Sequence, residues 1–325
     1  MADEKTATTR HPHIPRIPGD IMIYPMVIGL LLNTFCPDVL NMGGFFTAVS
    51  HGGANAIVGC ILLFIGAGID FRSTPKAIRT GLVIVVPKLV LAIAAGLAVA
   101  FLFGDDLLGL NSVSIIGGIT FCNIALYTGI MAEYGDEAER GAVGVLCFTV
   151  GPTITMIALG VAGLADISVG TLVGSVLPLV IGMVLGNLSP YLRRLLSAGQ
   201  NPCIVVIGFA LGCGMSLQTF LAGGLSGVLL AVLCLAIGLV TMLTDRLFGG
   251  SGRAGMACGT IAGTAMTTPA ALAQTGERYA ALQGVATAQI AIAVIITAFV
   301  APIMTGWVDR VLCGGISKGG TQAEE

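Results

Sequence analysis

Charge is what this sequence has least of. Asp, Glu, Lys and Arg make up 10% of its 325 residues, against about 25% in an ordinary soluble domain. Charged side chains are almost never fully buried unless paired, so a soluble fold of this length would need far more of them to cover its surface. A mean hydropathy of +0.96 agrees, and the chain reads as an integral membrane protein. Basic charge is equally scarce: the formal net charge is -2, which excludes a polybasic nucleic-acid binder. No GxxxxGK[ST] motif is present, so nothing supports ATP-driven transport, and Gly249-Gly250-Ser251-Gly252 lacks the lysine and helix start of a phosphate cradle. The three histidines are His11 and His13 in an N-terminal tail and His51 in a loop. The nine cysteines are scattered without a CxxC or a Cys/His cluster. Neither a metal site nor a catalytic histidine is expected, and the cysteines read as small polarizable packing residues.

What remains is long apolar runs. A helix that crosses a bilayer needs roughly 20 mainly apolar residues, and ten such segments are expected at about 18–36, 54–70, 80–103, 112–132, 139–161, 167–187, 202–218, 225–244, 254–274 and 284–307. They leave polar tails at 1–17 and 311–325. No signal-peptide cleavage pattern precedes the first span. With the N-terminus placed in the cytoplasm, thirteen of the 15 Lys and Arg fall inside, Arg278 alone falls outside, and Lys88 lies within the third span. That asymmetry favours ten spans with both termini cytoplasmic.

The chain also contains itself twice. Pro25-Met26-Val27-Ile28-Gly29 matches Pro178-Leu179-Val180-Ile181-Gly182, and each is followed twelve residues after its proline by another, Pro37 and Pro190. Gly66-Ala67-Gly68-Ile69-Asp70 matches Gly212-Cys213-Gly214-Met215-Ser216, and Gly118 to Gly135 lines up with Gly259 to Gly276. Spans 1–5 (18–161) and 6–10 (162–310) therefore read as two copies of one unit. Five being odd, the second copy enters the membrane from the opposite side, as an inverted-topology repeat. Such repeats build secondary transporters that work by alternating access.

Interrupted spans at corresponding places mark the binding site in such proteins. Span 4 runs through Gly117, Gly118, Thr120, Asn123, Tyr127 and Gly129, and span 9 through Gly259, Thr260, Gly263, Thr264, Thr267, Thr268 and Pro269. The alignment sets Asn123 opposite Thr264 and Thr128 opposite Pro269, whose ring removes an N–H from its helix. A broken helix at mid-membrane must line a cavity, and the N-terminus of each half-helix attracts an anionic group. The bland alternative is that these small and hydroxyl residues only let helices pack closely. Lys88 is the remaining outlier. An ionisable residue inside a span is a functional candidate, here for pairing with an anion or bonding unwound backbone, and Pro87 beside it suggests a kink that aims it inward.

Ile17-Pro18-Gly19-Asp20, Pro25, Thr34-Phe35-Cys36-Pro37, the stretch from Asn123 to Tyr134-Gly135, Gly151-Pro152, Gly186-Asn187-Leu188 and Ala254-Gly255 through Thr268-Pro269 together resemble the 2-keto-3-deoxygluconate permease family over residues 14–310. The resemblance implies a bacterial inner-membrane importer of a sugar-acid anion coupled to protons. It also implies a fold akin to the bile-acid symporters, in which spans 4 and 9 cross as broken helices. The core there is spans 3–5 and 8–10, beside a panel of spans 1, 2, 6 and 7. It departs at two places: Thr120 and Thr149 stand where the family pattern has acidic residues. Three explanations stay open. Lys88 could carry the proton; sodium could be the coupling ion, held by hydroxyls and unwound carbonyls; or the substrate differs.

The expected protein is thus an all-α, ten-span secondary carrier, with no catalytic residue and no cofactor other than a coupling H⁺ or Na⁺. Its substrate-binding set is Asn123, Tyr127, Thr264, Thr267, Thr268 and Lys88. Thr120, Thr149, Thr153 and Thr260 are candidates for the coupling ion or the cavity wall. Its partners are a small sugar-acid anion and membrane lipid, with no nucleic acid, and its oligomeric state is left open by the sequence, a homodimer being one option. The rival reading is a transporter-like membrane sensor that has lost coupling. A channel is disfavoured by the lack of a filter loop or charge ring.

Overall fold

The computed structural model describes residues 20–51, 53–69, 75–149, 151–165 and 168–314. The tail at 1–17, the residues Ile17 to Gly19, Asp70, Arg72 and most of the stretch from 311 to 325 lie outside the described residues. Within them the protein is all-helical, with no strand. The principal helices are α1 (Asp20–Phe35), α2 (Gly53–Gly68), α3 (Pro75–Leu102), α4 (Ser112–Ile119), α5 (Ile124–Tyr134), α6 (Thr153–Val161), α7 (Val169–Leu188), α8 (Gln200–Cys213), α9 (Gly224–Leu247), α10 (Arg253–Ala257), α11 (Thr267–Leu272) and α12 (Glu277–Leu312).

Among the described residues, five helical stretches are long and apolar enough to cross a membrane: Pro75–Leu102, Val169–Leu188, Pro190–Cys213, Gly224–Leu247 and Glu277–Leu312. Counting bent pairs as single spans makes seven. The pair α4 and α5 bends by 42°. The other pair joins Glu137–Thr149 to α6. There Gly151 takes φ +117, a region open to glycine, and Pro152 lacks an N–H, so the segment expected as a continuous span at 139–161 is interrupted. Ile21–Phe35 and Ala56–Gly68 are apolar but shorter, and Pro37 opens a new short helix just beyond α1. The third span begins at Pro75 rather than near residue 80, because proline is tolerated in a first helical turn.

The helices fall into two groups. In one, α1 packs along α8 and α2 along α7. Both seams are built on glycine. A Cβ on Gly29 of α1 would strike the Phe209 carbonyl of α8, and one on Gly212 of α8 would strike the Met26 carbonyl of α1. In the second seam Gly182 of α7 meets the Leu63 carbonyl and Gly66 of α2 meets the Leu179 carbonyl. Backbone therefore touches backbone, the close approach that small residues permit in membranes. The four glycines belong to the two motif pairs that repeat along the chain. In the other group α9 packs on α12 and α3, and α3 on α4. Gly238 of α9 lies against Gly259, where a Cβ would come within 2.8 Å of the opposing Cα.

Candidate functional site

Two interruptions meet at the centre of the second group. The first separates α4 from α5. Asn111 starts α4 with a reciprocal cap: its side chain accepts from the Ser114 amide at 2.9 Å. At the far end Thr120 turns its hydroxyl back to the Ile116 carbonyl at 2.7 Å, the local bonding that competes with helix continuation. Asn123 then restarts the chain as the cap of α5, accepting from Leu126 N at 3.1 Å. The second interruption follows α10. Residues Gly259 to Ala262 carry no helix, and a tight 3-10 turn, Gly263–Met266, leads into α11.

The interruptions are bonded to each other. Asn123 N donates to Thr260 Oγ1 at 3.3 Å, and Cys122 Sγ lies 3.7 Å from the same hydroxyl. Cys122 N donates to Thr149 Oγ1 at 3.5 Å, and Ile261 N to Thr297 Oγ1 of α12 at 3.2 Å. Buried backbone groups freed by a broken helix need such partners.

Lys88 completes the junction. It is the fourteenth of the 28 residues of α3 and is 1% exposed. Its Nζ donates to the carbonyls of Cys258 and Thr260 at 2.8 Å each and of Phe121 at 3.3 Å. All three protons of the ammonium are thus placed on unwound backbone, and both interruptions are tied to a third helix by one side chain. The ion pairs among the described residues, such as Arg278 with Asp105 at 2.8 Å and Arg253 with Asp309 at 2.7 Å, do not involve it.

A cavity of about 200 Å³ opens beside the junction, between the two helix groups. Its inner wall is Cys122, Asn123, Ile124 and Ala125 at the start of α5, with Ala262, Gly263 and Thr264 after the second interruption. Its outer wall includes Met22, Ile65, Gln200 and Asn201. The Leu126 amide is taken by the Asn123 cap, while those of Ile124 and Ala125, residues of the cavity wall, lack a partner within the helix, and the start of α5 carries a partial positive charge.

Of the residues singled out by sequence, Asn123 and Thr264 line the cavity, and Lys88, Thr260 and Thr149 belong to the junction behind it. Tyr127, Thr267 and Thr268 do not line it. Tyr127 is fully buried and donates to the Glu139 carbonyl at 2.8 Å. Thr267 bonds the Thr264 carbonyl at 2.8 Å. Thr268 packs its methyl against Gly117 of α4, and its hydroxyl is buried without a partner. Thr120 is bonded within α4, and Thr153 sits 3.3 Å from Ser175 Oγ of α7. Gln200, Asn201 and Thr297 were not singled out. The amide pair Gln200-Asn201 opening an apolar span was the available signal; Thr297, one hydroxyl in a long apolar helix, offered none.

The 2-keto-3-deoxygluconate permease family model matches residues 11–312. The chain belongs to this family. The 2-keto-3-deoxygluconate permease 1 of Salmonella typhimurium is 43% identical over 299 residues, covering 91% of this chain and 94% of that protein. The 2-keto-3-deoxygluconate permease of Tolumonas auensis is 35% identical over 300 residues, covering 90% of each. That of Bacillus subtilis is 34% identical over 305 residues, covering 91% of this chain and 92% of that one. As a member of the 2-keto-3-deoxygluconate permease family, this is a multi-pass membrane transporter and not an enzyme.

Proposed function

We propose that this protein imports 2-keto-3-deoxygluconate, or a closely related sugar-acid anion, across the bacterial inner membrane as a proton-coupled symporter. The observation that carries the reading is the cavity at the two interrupted helices. It offers what a hydroxylated carboxylate requires. The amides at the start of α5 attract the carboxylate. The Asn123, Thr264, Gln200 and Asn201 side chains hydrogen-bond the keto and hydroxyl groups from several directions. The names of the relatives supply the substrate, and their coverage of nearly the whole chain supports carrying it over.

In this reading the fold is ten spans in two inverted halves, 18–161 and 162–310, with both termini cytoplasmic. The two glycine seams support it. Gly29 and Gly182 are repeat mates, as are Gly66 and Gly212, and so are the carbonyls they meet: Met26 with Leu179 and Leu63 with Phe209. One contact thus occurs twice at equivalent places, as a two-fold axis requires. The seam group serves as the panel and the junction group as the core. Alternating access then moves the core, with Lys88 holding its two interruptions together, past the panel.

Uptake of labelled 2-keto-3-deoxygluconate into proteoliposomes, with pH and sodium gradients imposed separately and a panel of sugar acids as competitors, tests the reading. Concentrative uptake driven by the pH gradient is expected. Binding without counterflow refutes transport, and uptake driven by sodium alone refutes proton coupling.

A further inference from the structure

The arrangement around Lys88 resembles a coordination sphere more than a salt bridge. Three carbonyl oxygens converge on one positive centre, at 2.8, 2.8 and 3.3 Å, in a site 1% exposed. They come from two chain segments that are far apart in sequence and are brought together only by the fold. Phe121 O follows the end of α4, Cys258 O follows the end of α10, and Thr260 O belongs to the second interruption. Carbonyls at such ends lack intrahelical donors and carry partial negative charge. Crowding three of them in a dry interior repels unless a cation sits among them. The titratable side chains that act on it are the thiols of Cys258, Cys122 and Cys234, and the hydrogen bonds of the ammonium go to backbone oxygens. A hydrogen-bonding role for the side chain would have been met by any donor. The convergence of carbonyls from two broken ends selects for positive charge, which in ion-coupled carriers is supplied by a bound ion at unwound backbone.

We infer that the ring formed by Phe121, Cys258 and Thr260 is a monovalent-cation seat, and that the Lys88 ammonium occupies it as a tethered substitute for a sodium ion. The seat stands on this geometry alone. Its consequence for transport rests on the function proposed above: a carrier whose seat is permanently filled has no place for sodium there and does not draw on the sodium gradient through it. Removing the ammonium while leaving a ligand oxygen opens the seat. Lys88→Gln does so, since an amide keeps a donor for one carbonyl and adds its own oxygen to the ring. Lys88→Met fills the same space with neither charge nor a hard oxygen ligand.

The test is thermal unfolding of the purified full-length protein in detergent. Sodium chloride is titrated against choline chloride at constant ionic strength, with potassium chloride as a second comparison. Ligand that binds only the folded form raises the melting temperature and saturates. Lys88→Gln is expected to show a saturable, sodium-specific rise of about 2–4 °C, absent from the wild type and from Lys88→Met. A Lys88→Gln response no different from wild type overturns the seat. So does an equal response in Lys88→Met. Should neither variant yield folded protein, the wild type decides. Saturable sodium-specific stabilisation of the intact protein refutes occupancy by Lys88, and indifference to sodium supports it. Uptake plays no part in this measurement, so failure of the seat and failure of the transport function are read separately.

Discussion

Alanine at the glycine seams tests whether backbone contact holds α2 against α7. Gly59 and Gly66 lie on the same helix. A Cβ added at Gly59 meets nothing within 4 Å, whereas one at Gly66 collides with the Leu179 carbonyl and would lie 3.1 Å from Met183 N. Replacing glycine by alanine within a helix gains roughly 0.5–1 kcal/mol from backbone entropy at either position. At Gly66 the neighbour is main chain, which no rotamer change can move, so the two helices must separate at a cost of about 1–3 kcal/mol for overpacking. The entropy gain cancels in the comparison, and Gly66→Ala should be less stable than Gly59→Ala by about 1–3 kcal/mol. Gly182→Ala, facing the Leu63 carbonyl from the other side, should match Gly66→Ala. Gly29→Ala and Gly212→Ala should match each other in the α1–α8 seam. Thermal unfolding in a mild detergent measures this, with Gly59→Ala as the reference. Equal melting temperatures for Gly59→Ala and Gly66→Ala would refute the argument that these seams are packed at backbone distance.

Four further outcomes are expected. Asn123→Ala removes both a cavity-wall amide and the cap of α5, costing about 1 kcal/mol of stability and depressing labelled uptake well beyond that loss. Gln200→Ala and Asn201→Ala should each raise the KM for the sugar acid about tenfold, the worth of one hydrogen bond to a ligand, with melting temperature unchanged; unaltered KM in both would remove α8 from the site. Tyr127→Phe strands the buried Glu139 carbonyl and should cost about 1–3 kcal/mol of stability while leaving KM alone. Thr268→Val replaces an unpartnered hydroxyl by a methyl of the same shape, and should leave stability within about 0.5 kcal/mol and uptake at wild-type level; a collapse of uptake would place Thr268 at the substrate after all.

The long apolar spans were legible because length and hydropathy are additive along the chain. The two interruptions were legible because glycine, threonine and proline break apolar periodicity visibly. Lys88 stood out for the same reason, as one charge in an apolar run. Its partners did not, since they are backbone carbonyls at Phe121, Cys258 and Thr260, and any residue type supplies a carbonyl. Thr267 and Thr268 sit on a helix adjoining the cavity without lining it, and the direction of a side chain just beyond a 3-10 turn does not follow from spacing. Tyr127 was misleading in another way. Four residues beyond Asn123, it looks like a second cavity residue, yet its ring is buried and its hydroxyl reaches the Glu139 carbonyl. The break at Gly151-Pro152 is written in the sequence as two residues that resist helix, yet the flanking segments are apolar enough to read as one span.

The pairing of α1 with α8 has a consequence for how the protein is made. The first helix finds its main partner only when Gln200–Cys213 has left the ribosome. At about 5–20 residues per second that wait is on the order of 10–30 s, during which a short helix presents its Gly29 face to lipid. Nascent chains halted before α8 should therefore hold α1 loosely, open to quality-control proteases, and those halted after it should protect it.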